Sequence, residues 1–256
     1  MKILTDNLKS QLITDNPKLI EKLSNLYKFR VEGYRYSPAY KRRQWDGYKR
    51  FISNTGIFST GLMNLILDDL RGIGADPEIV HKYTPESVDK VDVEEFTYYD
   101  FQDELIVKAL DKRRCIVKSP TGSGKTLIMA GIVAALDGKT MTILFNSKQL
   151  LVQTHDFLEK CGIEGLGYCF GDGFKRAPIM LSTVHSIKKI QDWVDDCEVL
   201  MVDEAHEFSK GDRNLKAISG SPKAQWRFGF TATPPTNKLD YHALVAALGS
   251  VVETVS

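Results

Sequence analysis

The chain has 256 residues, room for one large domain or two modest ones. With 43% hydrophobic and 26% charged residues it has the make-up of an ordinary globular protein, which excludes disorder over most of its length. Lys and Arg number 34 against 33 Asp and Glu, a formal net charge of +1, so any affinity for a polyanion has to be sought in the local distribution.

The stretch from Met1 to Leu23 carries too much charge for a signal peptide, and no apolar run approaches the ~20 residues of a membrane helix. A soluble, cytoplasmic protein with no membrane partner is expected. Pro17 to Leu26 has helical spacing, with Leu19, Leu23 and Leu26 on one face. Tyr27 to Tyr36 alternates as a strand does, and Gly61 to Leu70 is helical through Leu62, Ile66 and Leu70. Between Tyr27 and Arg50 fall Lys28, Arg30, Arg35, Lys41, Arg42, Arg43, Lys49 and Arg50, opposed only by Glu32 and Asp46. They are interleaved with Phe29, Tyr34, Tyr36, Tyr40, Trp45, Tyr48 and Phe51. Lys and Arg neutralise phosphates without regard to sequence, and aromatic rings stack on unpaired bases. Arg35, Lys41, Arg42, Arg43, Lys49 and Arg50 are the candidate nucleic-acid contacts. A solvated basic surface over an aromatic core is the alternative.

From Thr84 to Glu104 the charge reverses, with eight acidic residues against Lys90. Pro77 and Pro85 lie near the change, which places a domain boundary at about 85–95: a small α+β domain over 1–90 and a second domain over 91–256. In the second, short apolar runs recur between helical segments: Cys115–Lys118, Met141–Phe145, Ile179–Ser182, Val199–Val202 and Phe228–Thr231. Helical patterns follow Lys125, Ser147 and Val184. This alternation predicts a parallel sheet with helices on its faces and a ligand site at the carboxyl ends of the strands. Cys115, Cys161, Cys169 and Cys197 form no CxxC pair and have no histidine at ligand spacing, which argues against a zinc site or a disulfide framework.

Directly after the first run comes Ser119-Pro-Thr121-Gly122-Ser123-Gly124-Lys125-Thr126, followed at once by a helical pattern. This is a phosphate-binding loop in its strand–loop–helix setting. Gly122 and Gly124 free the backbone to turn its amides toward phosphate oxygens, Lys125 reaches the β- and γ-phosphates, and the Thr126 hydroxyl ligates magnesium. Ser119 stands where the motif usually has its first glycine. Seventy-seven residues beyond Thr126, the run Val199–Val202 ends in Asp203-Glu204-Ala205-His206. A carboxylate at a strand end can hold magnesium, the role assigned to Asp203, and the next, Glu204, can orient and deprotonate an attacking water. Phe228-Gly-Phe230 leads into Thr231-Ala232-Thr233-Pro234, whose hydroxyls can bond groups that move with a γ-phosphate. Alone, the acidic tetrapeptide reads as a charged strand end and the threonine pair as a proline turn.

In this order the motifs resemble the first motor domain of superfamily 2 helicases and translocases, over residues 96 to 256. The resemblance implies one RecA-like parallel-sheet P-loop domain, ATP with Mg2+, and Lys125, Asp203, Glu204 and His206 as the catalytic set. It implies adenine recognition by Gln102 within Tyr98-Tyr99-Asp100-Phe101-Gln102, nucleic-acid contact by Thr183 and by the segment around Asn146 (where the family usually has proline), and coupling through Thr231, Ala232 and Thr233. Phe29-Arg-Val-Glu-Gly33-Tyr-Arg-Tyr-Ser-Pro38, Trp45-Asp-Gly47 and Gly56–Leu62 resemble the amino-terminal domain of UvsW-type phage helicases, which remodel branched DNA. The implied partners are double-stranded and branched DNA, with RNA–DNA hybrids as a further substrate, and the implied place is the host cytoplasm. An RNA helicase, a restriction-type duplex translocase and a DNA-binding platform with an inert motor half are the alternatives. No second motor domain follows in these 256 residues, and the expectation is a fragment of a longer protein or a split-gene product.

Overall fold

A computed structural model of the chain describes residues 1–93 and 96–254. Glu94 and Glu95 of the acidic stretch, and Val255 and Ser256 at the chain end, lie outside the described residues. The chain opens with β1 (Lys2–Thr5) and β2 (Lys9–Ile13), an antiparallel hairpin that the hydrophobic pattern does not announce. The helix expected at 17–26 forms as α1 (Pro17–Leu26): Pro17 suits the first turn, and the Asn16 side chain accepts from the Leu19 N–H. The strand expected over Tyr27–Tyr36 is shorter, β3 (Lys28–Arg30), because Gly33 takes φ +67 and turns the chain into a 3-10 turn at Tyr34–Tyr36. A short α2 (Pro38–Lys41) follows, and β4 (Tyr48–Arg50) pairs back on β3. Then come β5 (Ile57–Ser59), α3 (Met63–Gly72) and β6 (Glu78–His81), which complete a sheet of order β5-β2-β1-β6.

The second part runs α4 (Asp100–Lys112), β7 (Arg114–Lys118), α5 (Lys125–Ala135), β8 (Met141–Phe145), α6 (Lys148–Lys160), β9 (Leu166–Phe170), β10 (Gly173–Lys175) and β11 (Ile179–Thr183). It continues with α7 (Gln191–Asp196), β12 (Val199–Val202), α8 (Asp212–Ser219), β13 (Trp226–Thr231), α9 (Lys238–Leu248) and β14 (Ser250–Val252). The sheet order is β10-β9-β11-β8-β12-β13-β7-β14, parallel throughout except for β10. All five expected strands are present. Every residue of β8, β11, β12 and β13 is buried, which is why these strands read as largely apolar runs rather than as alternating ones.

One face of this sheet packs α4, α5 and α6 through Leu105, Ile128 and Leu151. The core on the other face joins Val202, Leu244 and Leu248 to Ile3, Leu62, Ile66 and Leu70 of the amino-terminal part. Each such side chain contributes roughly 1.5–3 kcal/mol by burial, so the amino-terminal part is held to this face by a common core, while the core on the other face is built by the second part. The approach is closest at Gly61, where a Cβ would stand 2.1 Å from the Val245 carbonyl oxygen. Among the described residues no helix is long and apolar enough to cross a membrane.

Candidate nucleotide site and nucleic-acid surface

The carboxyl ends of β7, β8, β12 and β13 meet at one edge of the sheet, and the motif residues leave from there. Backbone bonds tie the edge together: the Ser119 N–H donates to the Thr231 carbonyl at 3.1 Å, and the Asp203 N–H to the Leu144 carbonyl at 2.9 Å. Ser119, in place of glycine, is fully buried and its hydroxyl meets that of Ser123, so the small side chain staples the loop from inside. Gly122 and Gly124 both take φ +79. A Cβ at Gly122 would meet nothing within 4 Å, so the loop tip is open, although the Ser123 N–H donates to the Pro120 carbonyl at 3.2 Å; a Cβ at Gly124 would stand 2.4 Å from Gln102 Nε2.

Gln102 is only 2% exposed. Its Oε1 accepts from the Tyr99 N–H at 3.0 Å, capping α4, and its Nε2 donates to the Ser123 carbonyl at 2.8 Å. The amide expected to meet adenine is engaged at both ends by the protein and supports the phosphate loop. Beside it Tyr99, 70% exposed, stacks on Phe101 with the rings 7° from parallel.

Lys125 opens α5, with Thr126 next to it. Its Nζ lies 3.0 Å from Glu204 Oε1. Glu204 holds an unusual φ of +46, which swings its carboxylate toward both the lysine and His206, whose Nδ1 is 3.3 Å from Oε2. The same Nδ1 is 2.8 Å from Thr231 Oγ1, which accepts the Thr233 N–H at 3.2 Å. Lys125, Glu204, His206, Thr231 and Thr233 thus form one connected line, with Ala232 between the threonines. Thr121 is exposed at the loop tip. Burial, and then the like charge of Glu204, push the Asp203 carboxyl up to about 6. Two adjacent carboxylates facing one lysine leave negative charge uncompensated, and Asp203 with the Thr126 hydroxyl offers the hard oxygen donors that Mg2+ prefers. The open loop tip at Gly122 and these oxygen donors fit a magnesium-bound nucleoside triphosphate.

Thr183 is at the strand end expected for it, with its hydroxyl engaged inside the protein. It ends β11 at 6% exposure, and its hydroxyl donates to Ser186 Oγ at 3.1 Å; the exposed side chain at that corner is His185. Asn146 donates to the Glu207 carboxylate. On the amino-terminal part, Lys41, Arg42 and Arg43 are exposed, and a crevice of about 580 Å3 is lined by Arg35, Tyr40, Lys41, Arg43, Gln44, Trp45 and Asp46. Arg50 is instead paired with Asp46, and Lys49 lies 5.4 Å from the centre of the Phe51 ring. Arg30, absent from the candidate contacts, is held between the rings of Tyr34 and Tyr48 at 4.5 and 4.3 Å. Tyr36 is 82% exposed on the same loop.

A phosphate loop, an acidic strand end and a threonine pair converging on one edge of a parallel sheet define a RecA-like motor domain of the superfamily 2 helicase class. Residues 88–236 match the ResIII family, described as the res subunit of type III restriction enzymes, and the chain belongs to that family. It is 23% identical over 264 residues to the ATP-dependent DNA helicase uvsW of Enterobacteria phage T4, an alignment covering 91% of this chain and 52% of that protein. The chain therefore spans about half the length of this curated relative. A crystal structure of the UvsW helicase from bacteriophage T4 superimposes with a TM-score of 0.78 at 18% identity, covering 99% of this chain and 100% of that one. The SWI2/SNF2 ATPase core of Sulfolobus solfataricus, solved with double-stranded DNA, gives 0.53 at 16% identity over 64% of this chain and 38% of that one. These likenesses establish the shared fold, including the amino-terminal sheet in the UvsW case.

Proposed function

We propose that this chain carries the nucleotide-binding half of an ATP-driven helicase or translocase that remodels branched DNA by junction migration and by fork or R-loop processing. The connected line from Lys125 through Glu204 and His206 to Thr231 is the observation that carries the reading. It joins the group that would hold the transferred phosphate to the group that would position water, and both to the strand end leading into α9. ATP, with its magnesium, would supply a phosphoanhydride whose cleavage drives the motor. Gly122 and Gly124, and Ser123 once its N–H leaves the Pro120 carbonyl, would cradle the phosphates by their amides, Lys125 would exchange its bond to Glu204 for phosphate oxygens, and Thr126 and Asp203 would hold the metal. Glu204, released from Lys125, would orient and deprotonate water, while His206 and Thr231 report the change.

Residues 1–90 would read duplex and branched DNA through Arg35, Lys41, Arg42 and Arg43, with Arg30, Tyr34 and Tyr48 stiffening the loop. RNA–DNA hybrids are a further substrate of the same chemistry. A second RecA-like domain would complete the ATP site with an arginine, and the protein would act in the cytoplasm. Similarity to UvsW, named as a DNA helicase, supports the choice of DNA.

The test is competition binding at fixed salt, with labelled four-way junction displaced by linear duplex, single-stranded DNA or duplex RNA. Preference for junction or duplex DNA is expected. Preference for single strands or RNA overturns the substrate assignment and leaves the nucleotide site untouched.

A further inference from the structure

The nucleotide site occupies the carboxyl edge of the large sheet. At the opposite edge, where β7, β13 and β14 begin, a crevice of about 210 Å3 lies between the two parts of the chain. Lys112 and Arg113 at the end of α4 and Arg114 at the start of β7 form one wall, and Ile79, His81 and Tyr83 line the other. Among the described residues no carboxylate lines it. Arg114 donates through Nη2 to the backbone carbonyls of Asn7 and Ala224, and among the described residues no acidic side chain is ion-paired with any of the three cations.

The one carboxylate that acts on Arg114 electrostatically among the described residues is Asp6, and it is ion-paired with Lys82 at 3.8 Å rather than with any of the three. Arg227 is 1% exposed, donates only to the carbonyls of Ile218, Gly220 and Ser221, and leaves its Nε without a partner among the described residues. Burial pushes Arg114 down to about 10, while burial and then the charge of Arg113 lower His81. Removing positive charge from water without a counter-ion is costly, and backbone carbonyls offset only part of that cost.

We propose that this crevice binds a small phosphoryl anion, held by Lys112, Arg113 and Arg114 and faced by His81 and Tyr83. The planar forks of two arginines match phosphate oxygens, and the tyrosine hydroxyl and imidazole supply further donors. The volume suits phosphate or pyrophosphate and is too small to admit a duplex. The site is independent of the phosphate loop, because the two lie at opposite ends of β7. An anion there bridges the segment after β6 to the α4–β7 corner, so it stabilises the docking of the amino-terminal part on the motor domain.

Calorimetric titration and thermal melting with inorganic phosphate and with pyrophosphate test this, each against sodium chloride at equal ionic strength. The chain carries Lys125→Ala so that the phosphate loop is silenced. Binding and a raised melting temperature are expected to persist in that background. Affinity is expected to fall at least ~10-fold when Lys112→Ala and Arg113→Asn are added. Asn suits the left-handed backbone at 113, where φ is +57, and neither side chain is ion-paired among the described residues, so the fold is retained and is checked by melting without ligand. Loss of phosphate binding on Lys125→Ala alone, unchanged affinity in the triple variant, or an equal melting shift with chloride each overturns the proposal.

Discussion

The His206 imidazole and the Thr231 hydroxyl, 25 residues apart, meet at 2.8 Å and join the acidic strand end to the threonine strand end. Since His206 Nδ1 also faces Glu204, the proposed displacement of Glu204 by nucleotide would be felt at Thr231 and then at the backbone of Thr233. Thr231→Val keeps the shape and removes the hydroxyl. Under the proposed function, the nucleotide affinity of this variant is expected to stay within about threefold, while DNA stimulation of ATP turnover falls at least ~10-fold. Steady-state hydrolysis with and without DNA separates the two effects; equal reductions in both would deny the coupling role.

Burying Asp203 beside Glu204 carries a cost in stability. An Asp203 carboxyl pushed up to about 6 from 3.8 binds its proton more tightly in the folded chain than in the unfolded one. Stability from this group therefore falls as pH rises from about 4 to 6 and stays low above that. The shift corresponds to at most ~3 kcal/mol, and water at the edge of the site reduces this to about 1–2 kcal/mol. Asp203→Asn is expected to melt higher than the parent at pH 7.5 and level with it near pH 4.5. Urea denaturation at the two pH values measures the difference, and a less stable variant at pH 7.5 counts against the reading.

Why the motor sheet was legible and the amino-terminal sheet was not follows from how each strand is covered. Val199–Val202 and Met141–Phe145 are buried on both faces and stand out as apolar runs bounded by motif residues. Lys2–Thr5 and Lys9–Ile13 are covered on one face only, with Ile3 and Thr5 or Ser10 and Leu12 inward, so a polar residue serves in the core as often as an apolar one. The helix at 17–26 was legible because Asn16, Pro17 and the leucine spacing agree. Sequence order also placed the candidate nucleotide residues at one edge of the sheet, since the glycine–lysine loop sits at a strand end by its own pattern. It did not reveal that Gln102 would spend its amide on Tyr99 and Ser123, or that Thr183 would face Ser186, because both depend on partners fixed by packing.

The shared core predicts an unusual sensitivity at Gly61. Its Cβ position is 2.1 Å from the Val245 oxygen and 2.6 Å from that of Ala246, both backbone atoms that cannot step aside alone. Gly61→Ala is expected to destabilise the chain by about 3 kcal/mol through forced separation of α9 from the segment before α3. Gly72→Ala, at a helical position with nothing within 4 Å, is the control and is expected to be neutral or stabilising by up to ~1 kcal/mol. Equal melting of the two variants would show that the amino-terminal part is not locked to α9.

The same interface predicts acid sensitivity. His242 on α9 packs against Tyr27, Phe29, Phe51 and Tyr241, and its Nδ1 donates to the Lys238 carbonyl at 2.6 Å. Burial, the largest cause, lowers its pKa below 6.5, so the folded chain holds the neutral ring and the unfolded chain takes up a proton first. Stability is full above the unfolded value and is lost as pH falls below about 6.5. His242→Phe is expected to abolish that part of the acid loss. The difference between parent and variant, followed from pH 7.5 to 5, isolates this group from the carboxylates common to both; a pH-independent difference would assign the acid loss elsewhere.

The last prediction separates phosphate contacts from internal pairs within the basic loop. Lys41, Arg42 and Arg43 are exposed, and no described acidic side chain is ion-paired with them, whereas Arg50 already meets Asp46. For every phosphate that the protein ceases to neutralise, the slope of log affinity against log salt falls by about 0.9, whatever the base sequence. Lys41→Ala, Arg42→Ala and Arg43→Ala together are expected to weaken duplex binding at low salt and flatten the slope by about 2–3, the value for three side chains on phosphates. Arg50→Ala is expected to leave the slope unchanged, since its charge is already spent on a carboxylate. Salt titrations of duplex binding with parent, triple variant and Arg50→Ala read these slopes directly. An unchanged slope in the triple variant would make the exposed cations a solvated surface, and a flattened slope in Arg50→Ala would show that DNA displaces Asp46.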